Sequence, residues 1–145
     1  MDDKFINFCK VGNLNGIINN INKINIHTNN DAGFTWACYH GHKNIVEYLI
    51  NIHKTRQSRN QNYIKINIHV FNETGFRWAC LNGHKHIVKY LINLHKIQPI
   101  YAKINIHAQN ESGFTWACAD GHLHIVKYLL SCGCHLDNYK CIIIL

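Results

Sequence analysis

Cysteine and histidine are the side chains of this 145-residue chain that could do chemistry, with seven cysteines and twelve histidines. They lie close together in three short stretches: Cys38/His40/His42, His84/His86 and His122/His124. Thiolate and imidazole bind zinc, but a structural zinc site needs four convergent ligands at a recognised spacing. No stretch has that spacing; the nearest is Cys132-Gly133-Cys134-His135 with Cys141, where the sequence favours an ordinary loop. We expect no metal and no cofactor.

Catalytic chemistry finds no better support in the sequence. A nucleophilic cysteine or serine would need a positioned base beside it, whereas the cysteines and histidines here recur at fixed places that indicate packing roles. The chain has no glycine-rich phosphate loop, and its eight acidic residues form no paired site. We therefore expect that the protein is not an enzyme.

The fixed places belong to a unit that occurs three times. The motif Gly-Phe-x-Trp-Ala-Cys-x-x-Gly-His begins at Gly33, at Gly75 and at Gly113. Each copy is preceded by the leader Ile-Asn-Ile-His and followed by an apolar block that reads Ile-Val-x-Tyr-Leu-Ile or Ile-Val-x-Tyr-Leu-Leu. Self-similarity at this period is the signature of a repeat array, in which stacked units share one core.

Apolar spacing within one copy predicts two short helices. Phe34, Ala37 and Cys38 are three and four residues apart, which places them on one helix face. Gly41 should end that helix, because glycine tolerates left-handed backbone, and the apolar residues of 45–50 predict a second helix. The first helix is expected to begin at an asparagine cap. The three candidate caps are Asn30, Asn72 and Asn110.

The copies divide a single domain into five parts. Residues 1–27 are a degraded copy that keeps Phe5, Cys9 and Gly12 in register, and its polar replacements indicate an N-terminal cap with one neighbour only. Residues 28–65 and 66–103 are full repeats with long insertions, and residues 104–137 are the third repeat. Residues 138–145 form an apolar tail. We expect Ile142–Leu145 to fold over the last repeat or to form an oligomer contact.

The unit resembles the ankyrin repeat, whose core reads T-P-L-H-x-A-A-x-x-G-H-x-x-I-V-x-x-L-L. Glycine replaces its proline in every copy, and other residues replace its histidine: Thr35, Arg77 and Thr115. Matching positions in the first copy are Phe34, Ala37, Cys38, Gly41, His42, Val46 and Leu49. The resemblance implies an all-α solenoid that binds a protein partner through its concave surface. The leader and second block are also similar to ankyrin proteins of large DNA viruses of amoebae, which implies a host protein as partner.

Outward residues that differ between copies are the expected recognition residues of such a solenoid. In the first repeat they are Asn29, Asp31, Thr35, Tyr39 and His40. In the second they are Val70, Phe71, Glu73, Arg77, Leu81 and Asn82, and in the third Gln109, Glu111, Thr115, Ala119 and Asp120. Phe71 and Leu81 stand out, because apolar residues at exposed positions indicate a partner contact.

Charge provides an alternative to protein binding. The chain has a net charge of +7, and the first insertion has no acid between Glu47 and Glu73. Arg56 and Arg59 in that insertion could pair with carboxylates or with a phosphate backbone. Nucleic-acid binding through this insertion and self-assembly through the tail are therefore alternative functions. The three tryptophans could stack on bases, but each lies beside Phe and Ala on a helix that must bury one face, which favours a core role.

The cellular location of the protein is predicted from three features of the sequence. No apolar run has the ~20 residues of a membrane span, and the N-terminal residues do not read as a signal peptide. The cysteines are odd in number, and three occupy the same repeat position. This pattern is typical of buried thiols in a reducing compartment, so we expect an intracellular protein.

Overall fold

The computed structural model of the chain describes residues 2–57 and 64–135, with side chains for residues 3–52 and 64–135. Within these ranges the chain forms eight α-helices and no β-strand. The helices are α1 (Asp2–Val11), α2 (Leu14–Asn20), α3 (Thr28–Tyr39), α4 (Lys43–Gln57), α5 (Val70–Leu81), α6 (Lys85–Ile97), α7 (Ala108–Ala119) and α8 (Leu123–Ser131). This architecture confirms the expected all-α repeat solenoid. None of these helices combines the length and the hydropathy of a membrane span.

The helices stack as pairs. The first helices α1, α3, α5 and α7 pack each against the next, and the second helices α4, α6 and α8 also pack in sequence. The apolar faces read from the sequence are buried between these layers, with Phe34, Cys38 and Leu49 fully buried in the first repeat. Each pair is too short to be stable alone, so burial between pairs supplies the stability.

Phenylalanine and glycine fit together between adjacent repeats. The ring of Phe34 packs on Gly75, where an added Cβ would lie 2.7 Å from the ring carbon Cε1. Phe76 packs on Gly113 in the same way, with a corresponding distance of 3.2 Å. The ankyrin proline would fill this space. Glycine at that position therefore accommodates the larger phenylalanine that replaces the ankyrin leucine.

The Gly-His pair connects each repeat to the one before it. The imidazole Nε2 of His84 donates a hydrogen bond to the backbone carbonyl of Tyr39 at 2.9 Å. His42 bonds Lys10 in the same way at 2.9 Å, and His122 bonds Leu81 at 2.8 Å. A carbonyl can only accept, so Nε2 carries the proton in each case. These histidines are structural, as their repeat position indicated.

A left-handed turn of three residues lies near the start of α3, α5 and α7. Asn29, Asn30 and Asp31 have φ values of 50°, 54° and 59°, and the equivalent residues of α5 and α7 behave likewise. Left-handed backbone costs ~1–2 kcal/mol for each non-glycine residue, and asparagine and aspartate tolerate it best. The prediction of asparagine caps is wrong, because Asn30, Asn72 and Asn110 lie inside this turn. The right-handed part of each first helix begins after the turn.

Candidate functional site

An open cavity of about 460 Å³ lies between the left-handed turns of the first two repeats. We call it the turn cleft. Phe71 and Ile64 are the exposed apolar residues at its edge, with 64% and 70% of their surface accessible. The cleft is lined by His27, Asn30, Asp31, Ile64, Asn67, His69, Val70, Phe71 and Asn72.

The backbone at Phe71 makes its exposure unusual. Its φ is 49°, in the left-handed region, where a bulky side chain is a genuine outlier. The equivalent residues are Asn29 and Gln109, which are polar. Because most of the Phe71 side chain is in solvent, packing within the described chain does not account for an aromatic residue at this position.

Arg77 holds the turn that carries Phe71. Its guanidinium donates to the backbone carbonyls of Phe71 at 3.0 Å and Asn72 at 2.9 Å. It also donates to the hydroxyl groups of Thr74 at 3.0 Å and Ser112 at 3.4 Å. Arg77 therefore holds the turn in position. The sequence had indicated only a recognition role for this residue.

A second surface, the tryptophan row, consists of Trp36, Trp78 and Trp116 on the first helices. The three indoles are half-buried, so the expectation of a core role is only partly met. Trp36 and Trp78 have ring centroids 5.4 Å apart. Tyr39 packs edge-on against Trp78 at 5.3 Å, and His40 stacks on Trp36 at 5.8 Å.

Cations lie against both ends of the tryptophan row. The Lys10 ammonium is 4.2 Å from the Trp36 ring centroid, and the Arg77 guanidinium is 5.4 Å from that of Trp116. Burial lowers the pKa of His40, with further lowering by His42 and Lys10. Neighbouring side chains thus lie over ring faces of Trp36 and Trp116, which leaves less indole surface for stacking on nucleic-acid bases.

Two predicted recognition residues, Asp31 and Glu73, are buried, so the expectation that they face outward is wrong. One carboxylate oxygen of Asp31 lies 2.7 Å from His27 Nδ1, and the other accepts the backbone N–H of Asn67 at 2.7 Å. Glu73 bonds His69 Nδ1 at 2.8 Å and the N–H of Asn105 at 3.1 Å. These carboxylates join each repeat to the leader of the next.

Thr35 and Val70 are also buried, which corrects their predicted outward position. The Thr35 hydroxyl donates to the carbonyl of Ala32 at 2.9 Å. This hydrogen bond allows the threonine to be buried without a water partner. Thr115 is half-buried and donates to the carbonyl of Glu111 at 3.2 Å. These threonines are therefore packing residues of the first helices.

The remaining predicted residues divide between surface positions and undescribed ones. Those at the surface or half-buried are Asn29, Tyr39, His40, Phe71, Arg77, Leu81, Asn82, Gln109, Glu111, Ala119 and Asp120. Phe71 and Leu81 lie at opposite ends of α5. Four of the predicted features lie outside the described part of the structure: the side chain of Arg56, residues Arg59 and Cys141, and the segment Ile142–Leu145.

Comparison with known proteins agrees with this geometry. The family model described as ankyrin repeats (3 copies) matches residues 36–140, which is well over half of the chain. Neither the comparison with curated proteins nor the comparison with solved structures found a match. Proteins of this family generally mediate protein–protein interaction and are typically not enzymes. The chain belongs to the ankyrin repeat family.

Proposed function

We propose that this protein binds a partner protein through a continuous surface that runs from the turn cleft along α5 to Leu81. The observation that carries the proposal is Phe71, an exposed aromatic residue on left-handed backbone. Such a residue costs stability, and most of its side chain remains accessible in the described chain, which supports a contact with a partner.

The chemistry of this surface suits a protein partner. Aromatic residues and arginine dominate the binding energy of protein interfaces, and they act best when the contact is preorganised. Phe71 is preorganised because Arg77 fixes the backbone carbonyl that follows its side chain. The cleft beside it is large enough to receive a partner side chain, and Ile64 adds apolar surface at its rim.

The partner is a protein of the host cell in this proposal, and the site of action is the cytoplasm of an infected cell. The support is the similarity of the leader and second block to ankyrin proteins of large DNA viruses of amoebae. Free thiols are found at Cys9, Cys38, Cys80, Cys132 and Cys134, in keeping with a reducing compartment.

The test uses replacements that the other repeats already contain. Phe71→Asn introduces the residue of the first repeat, and Phe71→Gln introduces that of the third. Both remove the aromatic ring while keeping a side chain that this fold accepts at a left-handed position. Ile97→Asn is the control, because Ile97 is 63% exposed at the end of α6, away from the cleft.

We expect the wild type and Ile97→Asn to retain the same protein from host-cell lysate at moderate and high salt. The two Phe71 variants should lose it while unfolding at the same or a higher temperature, because the left-handed strain is relieved. If the wild type and all three variants retained the partner equally, the proposal would be wrong. Recovery of nucleic acid alone, with steep salt dependence, would move attention to the basic insertion.

A further inference from the structure

The C-terminal end of the described stack brings together three groups that can bind a metal. Each of His107, Glu111 and Cys134 has a ligand atom, and these three atoms lie within 4.8 Å of one another. His107 is exposed, Glu111 is half-buried and Cys134 is buried, so the group is open to solvent on one side. We propose that these residues form a binding site for a thiophilic divalent cation of the Zn²⁺ class.

The histidine–carboxylate pairs of the two upstream repeats have partners that this third pair lacks. Their equivalent carboxylates, Asp31 and Glu73, each bond a histidine and also the N–H of the next leader. Glu111 keeps the histidine, with Nδ1 of His107 at 2.6 Å. In the part of the chain that the structure describes, no leader amide donates to it. Its carboxylate therefore retains lone pairs for a cation.

Cys134 is the second difference from the upstream repeats. It occupies the leader position held by Ile66 and Ile104, and like them it is almost fully buried. A thiol thus replaces an isoleucine beside the third histidine–carboxylate pair. Burial, with a contribution from Glu111, raises the pKa of this thiol to about 12.

The ligand set determines which metal would bind. Thiolate, imidazole and carboxylate are the three side-chain ligands that zinc uses, and a three-ligand site leaves a position for water. On binding, the Cys134 thiol releases its proton to solvent. The proton between His107 Nδ1 and Glu111 moves to Nε2 of the same imidazole, and the cation takes its place. Hard cations such as Mg²⁺ avoid thiolate, so the site should discriminate against them.

Cobalt(II) titration of the full chain under reducing conditions tests the assignment. A cobalt–thiolate bond gives a near-ultraviolet charge-transfer band, which a carboxylate–imidazole site lacks. We expect this band in the wild type, and we expect Zn²⁺ but not Mg²⁺ to displace the cobalt. Cys134→Ile, which restores the residue of the upstream leaders, should abolish the band. His107→Ala should weaken binding by at least ~100-fold, more than loss of an indirect partner costs.

Cys132→Ser is the matched control, because the half-buried thiol of Cys132 is two residues away and outside the cluster. It should bind cobalt as the wild type does. Thermal unfolding of the metal-free variants shows that each is folded, so loss of the band reports ligation. No band in the wild type, or a band that survives in Cys134→Ile, would overturn the assignment. So would a band that is lost in Cys132→Ser.

Discussion

The imidazole of His84 occupies the space in which a side chain on Gly41 would begin. An added Cβ at Gly41 would lie 2.6 Å from the ring atoms Cε1 and Nδ1. The same ring donates through Nε2 to the carbonyl of Tyr39, two residues before that glycine. Gly41 thus serves twice: its φ of +78° turns the chain, and its missing side chain admits the histidine of the next repeat.

Comparing Gly41→Ala with Gly121→Ala should separate the cost of the positive φ from the cost of the contact with the histidine ring. Gly121 has a φ of +72°, but no described atom lies within 4 Å of its added Cβ. Gly121→Ala should therefore cost only the left-handed strain, ~1–2 kcal/mol. Gly41→Ala should cost ~1–3 kcal/mol more, the usual penalty of overpacking. Urea unfolding measures both, and equal losses would contradict the role of the His84 ring.

Phe34 and Gly75 should show energetic coupling across the first repeat boundary. Gly75→Ala gains ~1 kcal/mol of helix propensity, but its Cβ would meet the Phe34 ring at 2.7 Å, so a net loss of ~1–2 kcal/mol is expected. In a Phe34→Leu background the clash is relieved, and the same substitution should be neutral or stabilising.

Gly113→Ala is the matched control for this cycle, because its nearest ring atom is 3.2 Å away. It should cost less than Gly75→Ala. A double-mutant cycle measured by chemical unfolding gives the coupling energy of Phe34 and Gly75. A coupling energy near zero would mean that the two residues are not matched in size, and that another cause accounts for glycine at this position.

The sequence predicted the repeat period, the helix pairs and the buried face, because each depends on local spacing that recurs three times. It could not predict the left-handed turn. Asn30 followed by Asp31 reads locally as a helix cap, and only the N–H of Asn67, in the next repeat, shows why the carboxylate turns inward. The exposure of Phe71 was predicted, since its departure from the polar residues of the other copies is visible in the sequence.

The carboxylate of Asp31 should stabilise the junction between the first two repeats. Its removal should cost more free energy of unfolding than the left-handed backbone alone accounts for. Asp31→Ala removes bonds to His27 Nδ1 and to the N–H of Asn67, and hydrogen bonds to a charged group are each worth ~1.5–3 kcal/mol. We expect a loss of ~3–6 kcal/mol from the two bonds, with a smaller addition from left-handed strain.

Asn30→Ala supplies the control for that substitution. Asn30 has the same left-handed backbone and an exposed side chain. Its replacement should report the backbone cost alone, which is less than ~1–2 kcal/mol because asparagine already bears part of it. The difference between the two variants, measured by thermal and urea unfolding, gives the contribution of the carboxylate. Indistinguishable variants would show that the bonds between repeats add nothing to stability.

The buried thiols should make the protein less stable at alkaline pH. Burial raises the pKa of Cys9 to about 12 and that of Cys38 well above its ordinary value of 9.0. In the unfolded chain these thiols ionise from about pH 9, while in the folded protein they stay protonated. The raised pKa therefore contributes stability below pH 9 that is lost as the pH rises towards 12, by up to ~1.4 kcal/mol per pH unit for each thiol.

Cys38→Ala isolates this effect, because alanine is small and apolar and the ankyrin repeat uses it at this position. The variant should show a shallower fall in the free energy of unfolding between pH 8.5 and pH 10, with a difference in slope approaching ~1.4 kcal/mol per pH unit. Urea unfolding at several pH values measures both slopes. Parallel curves for the two proteins would mean that Cys38 ionises as readily when folded as when unfolded, and that the thiol is not held in the dry core between repeats.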